Sequence, residues 1–248
     1  MCHDVMAQKY SRKNKTQLPL VKRTERKTLS SAHYIVTFSE KDAALIWRNY
    51  TLKARSVNFY LKTSRFSYDN VKIERSVFCF YGAWNRSENL CALKEFLKAA
   101  REKLPREIVI KIIGGGLPKK EIARLCKWNN VFYLGFIENP IAEIAKCQAL
   151  IAPLKKGAGV KVKVIDALSC GTPVIGTDIA FEGISDNETH KLFHIAQNNS
   201  EIIQTLKIWN AVTAEYKQSA ANEFFDRYNT NHFPDLLDDL ALRCGGGH

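Results

Sequence analysis

The densest run of chemically useful residues is Lys155-Lys156-Gly157-Ala158-Gly159-Val160-Lys161-Val162-Lys163-Val164-Ile165-Asp166. An apolar strand leads into this small-residue loop, and a helix follows. The start of such a helix offers unpaired N–H groups and a positive dipole end, which suits a phosphate. Gly157 and Gly159 lack a Cβ, so the backbone there can approach a ligand. Lys163 and Asp166 stand three apart on one helical face. An ammonium neutralises phosphate oxygens, and a carboxylate accepts two hydrogen bonds from a diol such as ribose. The same pair also reads as an ordinary helical ion pair, worth about 0.3–0.5 kcal/mol when exposed. Residue types alone leave both readings open.

The elements that must position these residues form a regular series. Unalternated apolar runs at 77–81, 108–113, 131–134, 149–152 and 173–176 predict strands. Helical periodicity covers 89–104, 118–126, 141–147 and 160–169, the last capped by Gly171. Residues 191–195 predict one more strand, and 200–209, 211–227 and 233–242 further helices. The alternation implies an α/β, Rossmann-like, doubly wound parallel sheet covered on both faces. Its ligands bind at the carboxyl ends of the strands, in loops 82–89, 114–118, 135–140, 153–160 and 176–184. Gly114-Gly115-Gly116 is followed by Leu117-Pro118, which does not fit the GxGxxG dinucleotide fingerprint.

Residues 1–27 are polar and basic, and Pro19 is expected to interrupt any helix there. A strand at 34–38 precedes Ser39, an expected N-cap for a helix opening Glu40-Lys41-Asp42, and a second strand is expected at 56–61. The 248 residues carry a net charge of +12, of which residues 1–75 supply +10 (16 Lys/Arg against 6 Asp/Glu). A basic head on a near-neutral body suggests a nucleic-acid or membrane-surface arm, or a piece of a larger surface. At 46% hydrophobic the chain can build a core, and no apolar run reaches the length of a membrane span. Seven cysteines without CxxC spacing fit a reduced cytoplasmic setting better than a disulfide or zinc framework. His190 and His194 lie four apart in a strand pattern, which disfavours metal ligation. Trp84, Trp128 and Trp209 read as packing, and the Gly245-Gly246-Gly247-His248 tail as a frayed end.

Here a resemblance becomes specific. Residues 153–175 are similar to the donor-binding signature of group-1 (family 4) glycosyltransferases, which have the GT-B fold. Other pieces follow in family order: Phe80-Tyr81-Gly82 with Asn89, Ile110 to the glycine turn, Tyr133-Leu134-Gly135-Phe136, and Thr177 through Glu182-Gly183. The resemblance implies a retaining, metal-independent transfer of sugar from a UDP- or GDP-sugar to a polysaccharide or glycolipid acceptor. It assigns Lys163, Gly82, Arg86, Gly157 and Gly159 to the donor diphosphate and Asp166 to the ribose. Gly135 and Phe136 fall at the base, and Glu182 near the donor; no catalytic residue or cofactor is assigned.

Three departures mark this chain. Ala158 stands where the first acid of the family's Glu-x7-Glu element falls, and Asp166 replaces the second glutamate. Gly82-Ala83 replaces the Gly-Arg of many members; Arg86 either takes that role or is a solvated loop arginine. The third is length. Residues 1–75 resemble the end of an N-terminal acceptor lobe, 76–232 the nucleotide-sugar-binding domain, and 233–248 a closing helix and tail. The expectation is a truncated or split protein, peripheral on the inner membrane face, whose basic head meets an anionic membrane surface rather than nucleic acid. Competing readings are a non-catalytic donor-binding subunit that works with a separate N-terminal lobe, a nucleotide-sugar epimerase relative, and a basic nucleic-acid-binding protein.

Overall fold

The computed structural model describes residues 2, 4–58, 64–184, 191–230 and 235–238. The N-terminal segment comprises α1 (Met6–Lys13), α2 (Leu18–Ser30), β1 (Val36–Thr37), α3 (Glu40–Tyr50) and β2 (Arg55–Ser56). The body runs β3 (Val77–Tyr81), α4 (Ser87–Ala100), β4 (Val109–Ile113), α5 (Lys119–Leu125), β5 (Val131–Gly135) and α6 (Pro140–Lys146). It continues with β6 (Leu150–Ala152), α7 (Val162–Ser169), β7 (Val174–Gly176), β8 (Phe193–Ile195), α8 (Asn199–Lys207) and α9 (Ala214–Tyr228).

Every pairing in the body sheet is parallel, in the order β5-β4-β3-β6-β7-β8. Counted from β3 this is 3-2-1-4-5-6, the Rossmann order, with its switch point between β3 and β6. Apolar side chains leave both faces of each strand, as an unalternated sequence requires. Phe78, Phe80, Ile110 and Ile151 pack beneath α4 and α8, with Phe96 and Ile203 filling the layer. Cys79, Leu150 and Val174 face α6, α7 and α9, through Ile144, Ile165 and Phe224. Fully burying Phe78 or Phe96 contributes about 1.5–3 kcal/mol each.

The N-terminal segment departs from expectation. Pro19 does not interrupt a helix but sits in the first turn of α2, where a missing N–H costs no helical bond. Ser39 does cap α3: its Oγ accepts from Asp42 N (3.1 Å) and donates to Asp42 Oδ2 (2.9 Å). The expected strand at 56–61 is seen only as β2, and its later residues lie outside the described ones. So do His190, Cys244 and the glycine tail; of the expected 233–242 helix, residues 235–238 are helical. His194 is in β8, edge-on to Trp209.

Two buried features pin the body. Lys217 of α9 is fully enclosed, and its Nζ donates to the carbonyls of Ala145 (3.0 Å) and Cys147 and to Thr172 Oγ1 (3.2 Å). Burial lowers its pKa to about 8. Gly171 ends α7 in a Schellman turn, with Thr172 N on Ala167 O and Gly171 N on Leu168 O, 2.9 Å each. Its φ is +64°, and a Cβ there would fall 1.9 Å from the Lys217 carbonyl oxygen. Gly171→Ala is therefore expected to cost about 3 kcal/mol or more, from left-handed strain plus a backbone clash. Gly135→Ala meets only the strain (φ +72°, nothing within 4 Å) and should cost about 1 kcal/mol. Urea unfolding of both variants measures the difference.

Candidate functional site

The loops leaving β3 and β6 diverge at the switch point, where doubly wound sheets open a crevice, and Gly82, Asn89, Gly157, Gly159 and Lys163 belong to those loops and the helices that follow them. Lys161 occupies the N-cap position of α7 without capping it through its side chain. Its Nζ instead turns back, donating to the carbonyls of Ala158 (3.1 Å) and Gly159 (2.6 Å). Arg12 of α1 donates to the preceding carbonyl, that of Gly157 (2.8 Å). In a trans peptide the N–H points opposite to the C=O. The amides of Ala158, Gly159 and Val160 thus face away from these cations.

The first helical bonds of α7 come from Val164 N and Ile165 N to Lys161 O. Among the described residues, the amides of 158–163 meet no acceptor. A row of free amides at a helix start is an anion cradle.

Lys163 stands in that first turn, half-buried, with Nζ donating to Asn89 Oδ1 at 2.8 Å. Asn89 Nδ2 donates in turn to Ala83 O (3.0 Å), so one amide ties α7 to the loop after β3. Burial, aided by the charges of Lys161 and Arg86, lowers the Lys163 pKa to about 8. At pH 7 the side chain is still an ammonium in about nine molecules of ten.

The remaining expected residues are placed as follows. Gly82 closes β3 beside Asn89, and Arg86 lies exposed at the N-cap of α4. Asp166 lies one turn beyond Lys163; burial, and after it the negative charge of Asp166, push up the phenol of Tyr81 at the end of β3. Gly135 and Phe136 end β5, two strands away; Gly135 O accepts from Gly114 N (2.7 Å), and Phe136 is 82% exposed. Glu182 is bound by both guanidinium nitrogens of Arg12 and lies 2.7 Å from Lys41 Nζ. Burial would raise its pKa, but these bonds hold it below the usual carboxylate range.

Sequence reasoning gave no site role to Arg12 or Lys41, and took Lys161 and Asn89 only as parts of motifs. Among the described residues no three His, Cys, Asp or Glu side chains gather as a metal site.

Residues 75–207, more than half of the chain, match the family described as group 1 glycosyl transferases. The chain belongs to the group 1 glycosyltransferases. Its body is a lobe of the GT-B fold. Solved structures similar to this glycosyltransferase chain include S. aureus TarM in complex with UDP (16% identity, TM-score 0.65, 90% of this chain and 46% of that one). Anabaena HepE with UDP-glucose is 14% identical, with TM-score 0.65, over 98% of this chain and 70% of that one. Sucrose-phosphate synthase of Thermosynechococcus elongatus is also 14% identical, with TM-score 0.70, over 99% and 67%. The chain spans about half the length of TarM. At these identities the likeness is one of fold. No curated protein matches the chain in sequence, and no helix among the described residues is long and apolar enough to cross a membrane.

The Lys163 environment sets a pH test. Protonated Lys163 is the form that attracts an anion, so affinity for sulfate, whose own charge is constant over this range, should fall as pH rises from 7 through 8 to 9.5. Binding near pH 8 should take up a fraction of a proton, since the anion raises the lysine pKa. Calorimetry in buffers of different ionisation enthalpy reads both quantities.

Proposed function

We propose that this chain binds the donor of a sugar-transfer reaction, a nucleoside diphosphate-sugar, in the crevice between β3 and β6. The carrying observation is Lys163, held by Asn89 2.8 Å away at the end of a run of six amides, 158–163, that meet no acceptor among the described residues. Anabaena HepE holds UDP-glucose on the same fold, and TarM holds UDP, which supports a uridine diphosphate-sugar as the first donor to try. The amides of 158–163 and the Lys163 ammonium take the diphosphate, with Gly82 and Arg86 bordering it. Asp166 accepts the ribose hydroxyls, and Gly135-Phe136 borders the base. Glu182 lies toward the sugar.

Transfer breaks the bond between the anomeric carbon and the diphosphate oxygen, so negative charge grows on the departing diphosphate. Fixed amide dipoles and one ammonium stabilise that charge where it develops. The reaction is of the retaining type, and the acceptor is a glycan or a lipid-linked glycan. A separate acceptor lobe and an anionic membrane surface, met by the basic N-terminal segment, belong to the same reading.

Titration with UDP- and GDP-sugars, against duplex DNA as competitor class, tests it. Lys163→Ala should weaken nucleotide-sugar binding about 10–100-fold, the value of one charge-assisted bond, while the variant still folds and melts cooperatively. Retained affinity would move the phosphate elsewhere. Salt-sensitive DNA binding with no nucleotide-sugar binding would sink the reading.

A further inference from the structure

Arg12 is separated in sequence by 145 residues from Gly157 and by 170 from Glu182, yet it bonds to both. Its Nη1 donates to Gly157 O and to Glu182 Oε2, each at 2.8 Å, while Nη2 holds Glu182 Oε1. One planar fork thus joins the loop after β6 to the turn after β7. A lysine, with its single nitrogen, does not reproduce that geometry.

The helix carrying Arg12 is itself seated by side chains. Val5 gives α1 no side-chain cap; Glu25 of α2 supplies it instead, accepting from Met6 N (2.6 Å) and Ala7 N (2.9 Å). Tyr50 of α3 donates to Glu25 Oε2 at 2.5 Å. On the other side, the Glu182-Gly183 turn is shaped to this segment. Gly183 has φ +77°, and a Cβ on it would lie 2.8 Å from Ser39 Cβ and Oγ. The turn carrying Glu182 thus packs on the cap of α3, and Lys41 reaches it from the first turn of that helix.

We propose that Arg12 is a positioning residue of the donor site, locking the Gly157 carbonyl and the Glu182 carboxylate so that the amides from Ala158 onward stay turned to the diphosphate. Both of its Nη atoms are engaged, by Gly157 O and by the Glu182 carboxylate that it shares with Lys41, so it acts through the loop rather than as a phosphate ligand. The proposal rests on the donor-binding reading above.

The test measures calorimetric affinities of UDP, GDP and the matching monophosphates for the full chain and for Arg12→Ala, Arg12→Gln and Arg12→Lys. The wild-type chain should bind a diphosphate. Arg12→Ala and Arg12→Gln should each lose about tenfold for that diphosphate and less than twofold for the monophosphate, with Lys restoring little. Glu182→Gln should produce a similar loss, and combining it with Arg12→Gln should add little more, because both act through one clamp. Wild-type diphosphate affinity in a folded Arg12 variant overturns the proposal and leaves donor binding standing. So does an equal loss for both nucleotides, the mark of general loosening. If Arg12→Ala does not melt cooperatively, Arg12→Gln and Glu182→Gln decide. Absence of nucleotide binding in the wild-type chain itself overturns the donor reading and this proposal together.

Discussion

Three consecutive carbonyls, at Gly157, Ala158 and Gly159, face cationic side chains, and the character of the whole crevice depends on that orientation. A peptide dipole has two ends. Were these three units reversed, the crevice would present carbonyl oxygens, which repel an anion, in place of N–H groups, which attract one. Fixing the dipoles in the fold means little reorganisation remains when charge arrives. The parallel register of β3 and β6 matters because it brings Asn89 and α7 to opposite walls of one cleft.

The cations therefore divide by task. Lys161 and Arg12 are engaged with backbone oxygens and with Glu182, and their contribution is shape. Lys161 and Lys163 both donate to neutral oxygens, but Lys161 is folded back onto its own loop while Lys163 reaches across to a side-chain amide from the other wall. A net charge of +12 says little about which lysine meets a ligand. Local partners do.

The body was legible in the sequence because its strands are mostly unalternated apolar runs, broken only by Lys111 in β4 and His194 in β8, and each helix carries its own periodicity. Gly171 was readable as a helix end since a left-handed residue after α7 favours glycine. The series of strand, small-residue loop and helix start at 150–169 was readable as well. What the sequence hid was everything contributed at long range. Arg12 is one of many basic residues in a polar stretch, and no local pattern separates it from its neighbours. Lys217 looks like any charge on a helix, yet it is enclosed by carbonyls from α6 and the turn beyond it. Pro19 was misread for a different reason: the same ring that breaks a helix interior is well placed in a first turn, and only the register tells which applies.

Trp84 lies in the loop that leaves β3 for the crevice. It is 1% exposed, and its indole Nε1 donates to Ile113 O at 3.1 Å. Its backbone N–H reaches Gly115 O at 2.9 Å. Of the four tryptophans it is the fully buried one, so its emission belongs at the blue edge of the protein's fluorescence. The chain thus carries an intrinsic optical probe wired by two hydrogen bonds to the β4 end of the cleft, with no label required.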